Sequence, residues 1–501
     1  MKDLLIKGGL VITETAEEIC DIYCSGEKIK LIGKDLAARY TGVKHTGAMH
    51  TTITHTDALA AGIKKDGALR EDTPGGNTQG VEVINAEGKI VIPGGVDAHT
   101  HLCLDTGSAV VSDDFYSGTL AAAWGGTTTI VDHPGFGPSG CSLDHQIKKY
   151  HKLAEGRAVI DYSFHGVIQH VDEDVLAMME TLAESGITSY KVYTTYGCKL
   201  SDENIYQVLK RAAELGLLVA VHPENDGVIN YLRKKFLSEG KISSQYHPLS
   251  RPAECEAEAV SRMILLAKMA GDAPLYIVHL SSALALEFII NARRRGQKNL
   301  YAETCAQYLL LDESLYNLPG SESLKYIMCP PLRTEADRKA LWQGLEADID
   351  TVATDHCPFL FETQKLRGRD DFTKCPSGAP GIEERIPLMY SESVAKKRLG
   401  IRRFTELCST APAKLFGLYP QKGVIKEGSD ADLVIIDPEK KMVLSHKNIH
   451  AHVDYTMYEG IEVLGYPLCT ISRGEVIVRA GAANAAPGRG KFIRRRRYSG
   501  R

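Results

Sequence analysis

Residues 189–225, SYKVYTTYGCKLSDENIYQVLKRAAELGLLVAVHPEN, read as strand, helix, strand. The outer runs, SYKVYTTY and LLVAVHPEN, are short and rich in β-branched and aromatic residues. Between them Ser201 stands where an N-cap belongs, Asp202 and Glu203 suit the positive end of a helix dipole, and Gly216 lies just past the end. Ile205, Val208, Leu209 and Ala212 share one face, so the helix can pack back on the strands that it connects.

Outward from this unit the same alternation recurs. Eight strand candidates follow one another: KIVIPGGVDAHTH, TTTIVDHP, VIDYSFHG, SYKVYTTY, LLVAVHPEN, LYIVHLSS, NLYAETC and DTVATDHCP. Eight repeats of strand and helix close into a (β/α)₈ TIM barrel, an α/β fold of about 250 residues or more. The alternative is a doubly wound open sheet. That fold usually carries a Gly-rich phosphate turn after its first strand, and GGVDAHTHLCLD is not one.

Both chain ends have a different texture. Residues 1–35 hold short alternating runs, LLIKGGLVI, ICDIYC and KIKLIG, which predict small antiparallel strands. GVIKEGSDADLVIID and VLGYPLCTISRGEVIVRAG look alike near the other end, so the two ends are expected to share a satellite β-sandwich. The resulting division is 1–92 plus 421–480 for the sandwich, 93–420 for the barrel, and 481–501 for a basic tail. A stretch at about 43–80 has no sustained period and reads as an inserted loop. His45, His50 and His55 recur there every five residues, which matches neither a helix nor a strand face, so they read as loop residues. The ending RGKFIRRRRYSGR reads as a solvated arm or one that reaches a neighbouring subunit.

The chain has 501 residues, 44% hydrophobic and 24% charged, enough to bury a large core. Lys and Arg total 59 against 63 Asp and Glu, a formal charge of −4, which argues against nucleic acid as the main partner. The start lacks the apolar block of a signal peptide, and no run approaches the roughly 18 apolar residues of a membrane span. These features predict a cytoplasmic protein with no membrane partner. The 12 cysteines are scattered, with Cys20 and Cys24 the one close pair, and read as reduced thiols.

The chemistry collects at the strand ends. His99 and His101 are two apart in the first strand, so both imidazoles face the same side. His222, His279 and Asp355 end the fifth, sixth and eighth strands. A lone buried His is more often a hydrogen-bonded core residue, but five ligand-type residues at one end of a barrel coincide with where barrel enzymes place their sites. In the fourth strand the residue at that depth is Lys191, which as an ammonium repels metal ions. Two readings stand: a snorkelling surface lysine, or a neutral amine that has added CO₂ to become a metal-bridging carbamate. Cys103 and Cys357 flank ligands and read as packing residues. Asp97 can orient an imidazole or cap a strand end.

Taken in order, GGVDAHTH, SYKVYTTY, AVHPEN, SRPAECEAEA, YIVHLSS, ETCAQYLLLD, PPLR, TDHCPF and PQKGVIKEGSDADLVIIDP resemble the hydantoinase/dihydropyrimidinase branch of the amidohydrolase superfamily, most of all bacterial D-phenylhydantoinases. The similarity spans nearly the whole chain outside the insertion. It implies a barrel with a satellite sandwich, assembly as a homotetramer, and two Zn²⁺ per subunit. His99, His101 and Asp355 then hold one ion and His222 and His279 the other. Lys191, modified to N6-carboxylysine, bridges them together with a hydroxide.

The implied reaction is hydrolytic opening of a cyclic ureide, a 5-substituted hydantoin or dihydropyrimidine, to an N-carbamoyl amino acid. The metal-bridging hydroxide attacks the ring carbonyl. Asp355 takes up a proton and delivers it to the leaving nitrogen, and Tyr196 donates to the developing oxyanion. Cys329 and Ser377 match positions whose main chain holds the ureide edge, although the family pattern has Ser and Asn there. Allantoinase-type activity is the enzymatic alternative. Dihydroorotase usually has an Arg where this chain has Cys103. A non-catalytic dihydropyrimidinase-like scaffold would have lost ligands that are all present here.

Overall fold

A computed structural model describes residues 2–41 and 80–500. The excursion expected at 43–80, with His45, His50 and His55, lies outside the described residues except for Gly80.

Eight parallel strands run in chain order: Gly95–Thr100, Thr127–Asp132, Asp161–Phe164 resuming as Gly166–Val167, Ser189–Tyr193, Leu218–His222, Leu275–Ile277, Leu300–Cys305 and Thr351–Ala353. The last strand meets the first: the Asp355 amide donates to the His99 carbonyl at 3.0 Å, and the His101 amide to the His356 carbonyl at 2.9 Å. This closes the barrel. Every strand is buried along its length, as expected for a parallel sheet covered by crossover helices. The helix Asp202–Leu215 forms as its sequence predicts. Ser201 accepts from the Asn204 amide at 3.2 Å, and Gly216 takes the left-handed conformation that ends the helix.

Both chain ends contribute to one nine-stranded sheet. Asp3–Ile12, Glu17–Ser25 and Lys28–Gly33 pair antiparallel in succession, and Ile90–Pro93 pairs antiparallel with Leu433–Val443. Leu4, Ile6, Ile22, Val91, Leu433, Ile435 and Ile471 fill a core of its own, distinct from the main barrel core. Lys422, Asp161, Asp432 and Arg473 form a buried ion cluster where the sheet meets the third barrel strand.

The basic ending departs from expectation. Residues 490–498 are neither a free arm nor extended away, but run beneath the barrel at the N-terminal ends of its strands. Amides of Gly490, Ile493, Arg495 and Tyr498 donate to carbonyls of Ala158, Tyr162, Gly186 and Gly216, and Ile493 is buried. The helices end on this side, and their last carbonyls attract cations. Arg494 donates to the Glu184 carbonyl, and Arg497 to Leu215 at 3.2 Å. Arg495, also buried, donates to the Phe164 carbonyl at 2.6 Å and to Ser163 Oγ at 2.9 Å. Arg494, Arg496 and Arg497 nonetheless stay exposed, so the solvated reading holds for these side chains while Arg495 and the main chain are bound to the barrel.

All 12 cysteines are free thiols, and among the described residues no helix is long and apolar enough to cross a membrane.

Candidate metal centre and active site

At the C-terminal mouth of the barrel a cavity of about 620 Å³ brings together His99, His101, Lys191, Tyr196, His222, His279, Cys329, Asp355 and Ser377. Alternation along the strand Ser189–Tyr193 directs Ser189, Lys191 and Tyr193 inward, while Tyr190 and Val192 pack outward in the core between strands and helices. Lys191 is therefore no snorkelling residue: it is 1% exposed.

The contacts fall into two groups with Lys191 nearby. Asp355 Oδ1 lies 3.1 Å from both His99 Nε2 and His101 Nε2, and these three side chains form a compact potential ligand set. His222 Nδ1 and His279 Nε2 face each other at 2.8 Å. Lys191 Nζ is 3.4 Å from His99 Nε2.

Hydrogen bonding decides which nitrogens carry lone pairs. His99 Nδ1 donates to Glu303 Oε1 at 2.6 Å, which leaves its Nε2 free to accept. His222 Nε2 donates to Glu224 Oε2 at 2.8 Å, which leaves Nδ1 facing His279. Burial, reinforced by neighbouring positive charge, holds the His99 and His279 imidazoles well below their ordinary pKa, and burial also lowers His222. Neutral imidazoles beside a carboxylate form the donor set of a divalent transition metal, so these residues fit zinc.

The other charges are tuned to match. Burial would raise Asp355, but the His99 and His101 imidazoles and Lys191 hold it at about 2, so it is ionised. Burial pushes Lys191 down from 10.5 to about 8, against the pull of Asp355 and Glu303. The Tyr196 hydroxyl is held well above 10 by burial, so it remains a donor. Its ring centroid lies 5.0 Å from that of His222 and 5.6 Å from the Arg251 guanidinium. Arg251 pairs with Glu224, so a buried chain of contacts links Tyr196 to the His222–His279 pair.

Backbone geometry also marks the site. Cys103, Tyr196, His279 and Asp355 have φ of 55°, 72°, 40° and 53°. This left-handed region is unfavourable for residues with a Cβ and persists where the surroundings enforce it. His279 and Asp355 lie just beyond their strands, where the chain turns to aim each side chain into the cavity.

Some sequence readings change. Asp97 reaches no imidazole: it accepts from the His99 amide at 3.2 Å and from Thr354 Oγ1 at 2.7 Å, bracing the strand ends. Cys357 is buried and lines the cavity; Cys103 is half-buried against the barrel core. Glu303, Glu224 and Arg251 went unselected, although each lies within a quoted motif. His133 and His165 were missed as well. Their rings stack at 3.9 Å, His133 lies 4.5 Å from His99, and His165 is fixed by Ser189 and the Ala98 carbonyl.

The model of the amidohydrolase family matches residues 90–477. A D-phenylhydantoinase of Escherichia coli O1:K1 / APEC is 48% identical over 418 residues, 83% of this chain and 90% of that protein. The solved D-hydantoinase from Bacillus sp. AR9 superposes with a TM-score of 0.88 at 41% identity, covering 99% of this chain and 100% of that one. The dihydropyrimidinase from Brevibacillus agri NCHU1002 gives 0.89 at 39%, covering 99% of each. An L-hydantoinase (dihydropyrimidinase) from Arthrobacter aurescens gives 0.82 at 28%, covering 99% of this chain and 100% of that one.

Proposed function

The chain is a member of the amidohydrolase family and a cyclic amide hydrolase, and we propose that it opens 5-substituted hydantoin or dihydropyrimidine rings at a di-zinc centre. The observation that carries this reading is the pair of imidazole groups around a buried, easily deprotonated lysine. His99, His101 and Asp355 would hold one ion and His222 and His279 the other. Lys191 would join both as its carbamate. Bound there, zinc supplies a water acidified toward neutral pH and a Lewis acid for the ring carbonyl, since one Zn²⁺ alone lowers the pKa of water to about 7.

The chain's own groups complete the reaction. Tyr196 donates its hydroxyl to the oxygen on which negative charge develops. Asp355 takes the proton lost by the attacking water and passes it to the ring nitrogen as the C–N bond breaks. The product is an N-carbamoyl amino acid, with the elements of water divided between its carboxyl and ureido ends. Main-chain groups at Cys329 and Ser377 would hold the planar ureide edge, a role compatible with the side-chain departures at both positions. Greater identity to the D-hydantoinase than to the L-hydantoinase favours D-configured 5-substituted hydantoins.

The separate core of the nine-stranded sheet supports a satellite β-sandwich from 1–92 and 421–480 beside a 93–420 barrel. Homotetrameric assembly in the cytoplasm completes the proposal. The test pairs zinc content with a panel of kcat/KM values for 5-phenylhydantoin enantiomers, dihydrouracil, allantoin and dihydroorotate. Turnover of the hydantoins by protein holding two zincs supports the reading; preference for allantoin or dihydroorotate refutes it. Lys191→Ala should lose both zinc and turnover, and an active two-zinc variant would refute the carbamate bridge.

A further inference from the structure

Glu303, in the seventh barrel strand, is fully buried and does not line the cavity, yet it touches both groups of proposed ligands. Its Oε1 accepts from His99 Nδ1 at 2.6 Å and from the His279 amide at 3.0 Å. Its Oε2 accepts from the Tyr276 hydroxyl at 2.8 Å, and that hydroxyl lies 2.5 Å from Thr351 Oγ1. One carboxylate thus gathers contacts from the first strand and from the sixth strand and the turn after it, and the eighth strand braces its Tyr276 partner. We propose that Glu303 is a positioning residue that sets the tautomer of His99 and the aim of His279, and so couples the two metal sites. This rests on the di-zinc reading above.

Space-filling does not account for it. A buried carboxylate is costly, and an aliphatic side chain of similar volume would pack a strand at lower cost. Each oxygen has a specific task instead. As an acceptor, Oε1 keeps the His99 proton on Nδ1 and turns the Nε2 lone pair toward Asp355 and Lys191. Hydrogen bonding to an anion also makes the imidazole a stronger metal donor. The bond to the His279 amide falls where the backbone is left-handed, at φ 40°, the turn that points this imidazole at His222. Without that acceptor the peptide can relax toward ordinary geometry and swing the ring away. Tyr276 holds the other oxygen, and Thr351 in turn holds the Tyr276 hydroxyl.

The test uses the zinc-loaded full chain and three variants, Glu303→Gln, Glu303→Leu and Tyr276→Phe. Zinc per chain and zinc affinity are measured by chelator competition, and cobalt-loaded samples are compared by visible absorption. Glu303→Gln keeps the volume and an acceptor oxygen but not the charge, and should weaken zinc by about 10–100-fold while shifting the cobalt bands. Glu303→Leu should weaken both sites by about 100-fold or more, since neither contact survives. Tyr276→Phe should weaken zinc less than Glu303→Gln does, because both Oε1 contacts remain.

Circular dichroism of the metal-free proteins separates misfolding from loss of ligand geometry; if the Leu variant does not fold, the Gln variant decides. Wild-type affinity and an unshifted cobalt spectrum in folded Glu303→Gln would overturn the coupling role while leaving the di-zinc reading intact. A wild-type chain that binds no zinc would overturn both.

Discussion

Changing Tyr196 to phenylalanine removes one hydroxyl and little else. The ring remains, so its contacts with His222 and Arg251, 5.0 Å and 5.6 Å away, can persist. Phenylalanine also accepts the φ of 72° at the same strain as tyrosine, and the proposed ligands are untouched. The predicted loss is therefore confined to the transition state, where the phenol would meet the developing oxyanion. Removing one such donor costs about 2.7–4 kcal/mol, or about 10²–10³ in kcat. KM should move little, because the neutral carbonyl of the bound substrate needs the donor less than the oxyanion does. Steady-state ring opening of 5-phenylhydantoin gives kcat and KM, and metal analysis gives zinc content. An unchanged kcat in a fully loaded variant refutes the role of Tyr196. A fall in kcat accompanied by zinc loss refutes the claim that the hydroxyl acts on the substrate alone.

Recovery of metal-stripped, decarbamylated enzyme should depend on pH through Lys191. With its pKa pushed down to about 8, the amine is mostly ammonium below that value and has no lone pair for CO₂. The neutral fraction falls to about 1% at pH 6, so reactivation at fixed dissolved CO₂ and zinc should slow about tenfold per pH unit below 8 and level off above it. A rate independent of pH from about 6 to 8 would contradict this. Arg251→Met should strand the buried Glu224 charge and cost about 3–5 kcal/mol in chemical denaturation, with weakened zinc binding at His222; an unchanged midpoint would show that the ion pair is dispensable. Deletion of 489–501 removes main-chain bonds worth about 0.5–1.5 kcal/mol each, so the unfolding free energy should fall by several kcal/mol and the denaturation midpoint with it, and an unaltered midpoint would mean that the ending contributes no stability.

The barrel is legible because its signals are local and repeated. Ser201, Gly216 and the Ile205–Val208–Leu209–Ala212 face announce a helix without any knowledge of its neighbours, and short β-branched runs announce the strands. The cavity-lining ligands are legible because they stand at the same end of five of the eight strands. Glu303 is not, because its function lies in a hydrogen bond across sequence, and a glutamate in a strand looks the same whether it faces water or an imidazole. Asp97 is open in sequence between orienting an imidazole and capping a strand end, and its contacts with Thr354 Oγ1 and the His99 amide are of the second kind. The docking of the ending is hidden for a third reason. A charge run can be hydrated or can cap helix ends, and only tertiary placement brings the carbonyls of Glu184 and Leu215 within reach.

Pairing Ile90–Pro93 with Leu433–Val443 places early and late products of translation side by side. While the ribosome is still reading through the barrel, the edge of Ile90–Pro93 waits for Leu433–Val443 to cover it. Such an edge invites association with other nascent chains until the last strands emerge, so yield during expression should respond to elongation speed and chaperone supply even when the finished enzyme is robust.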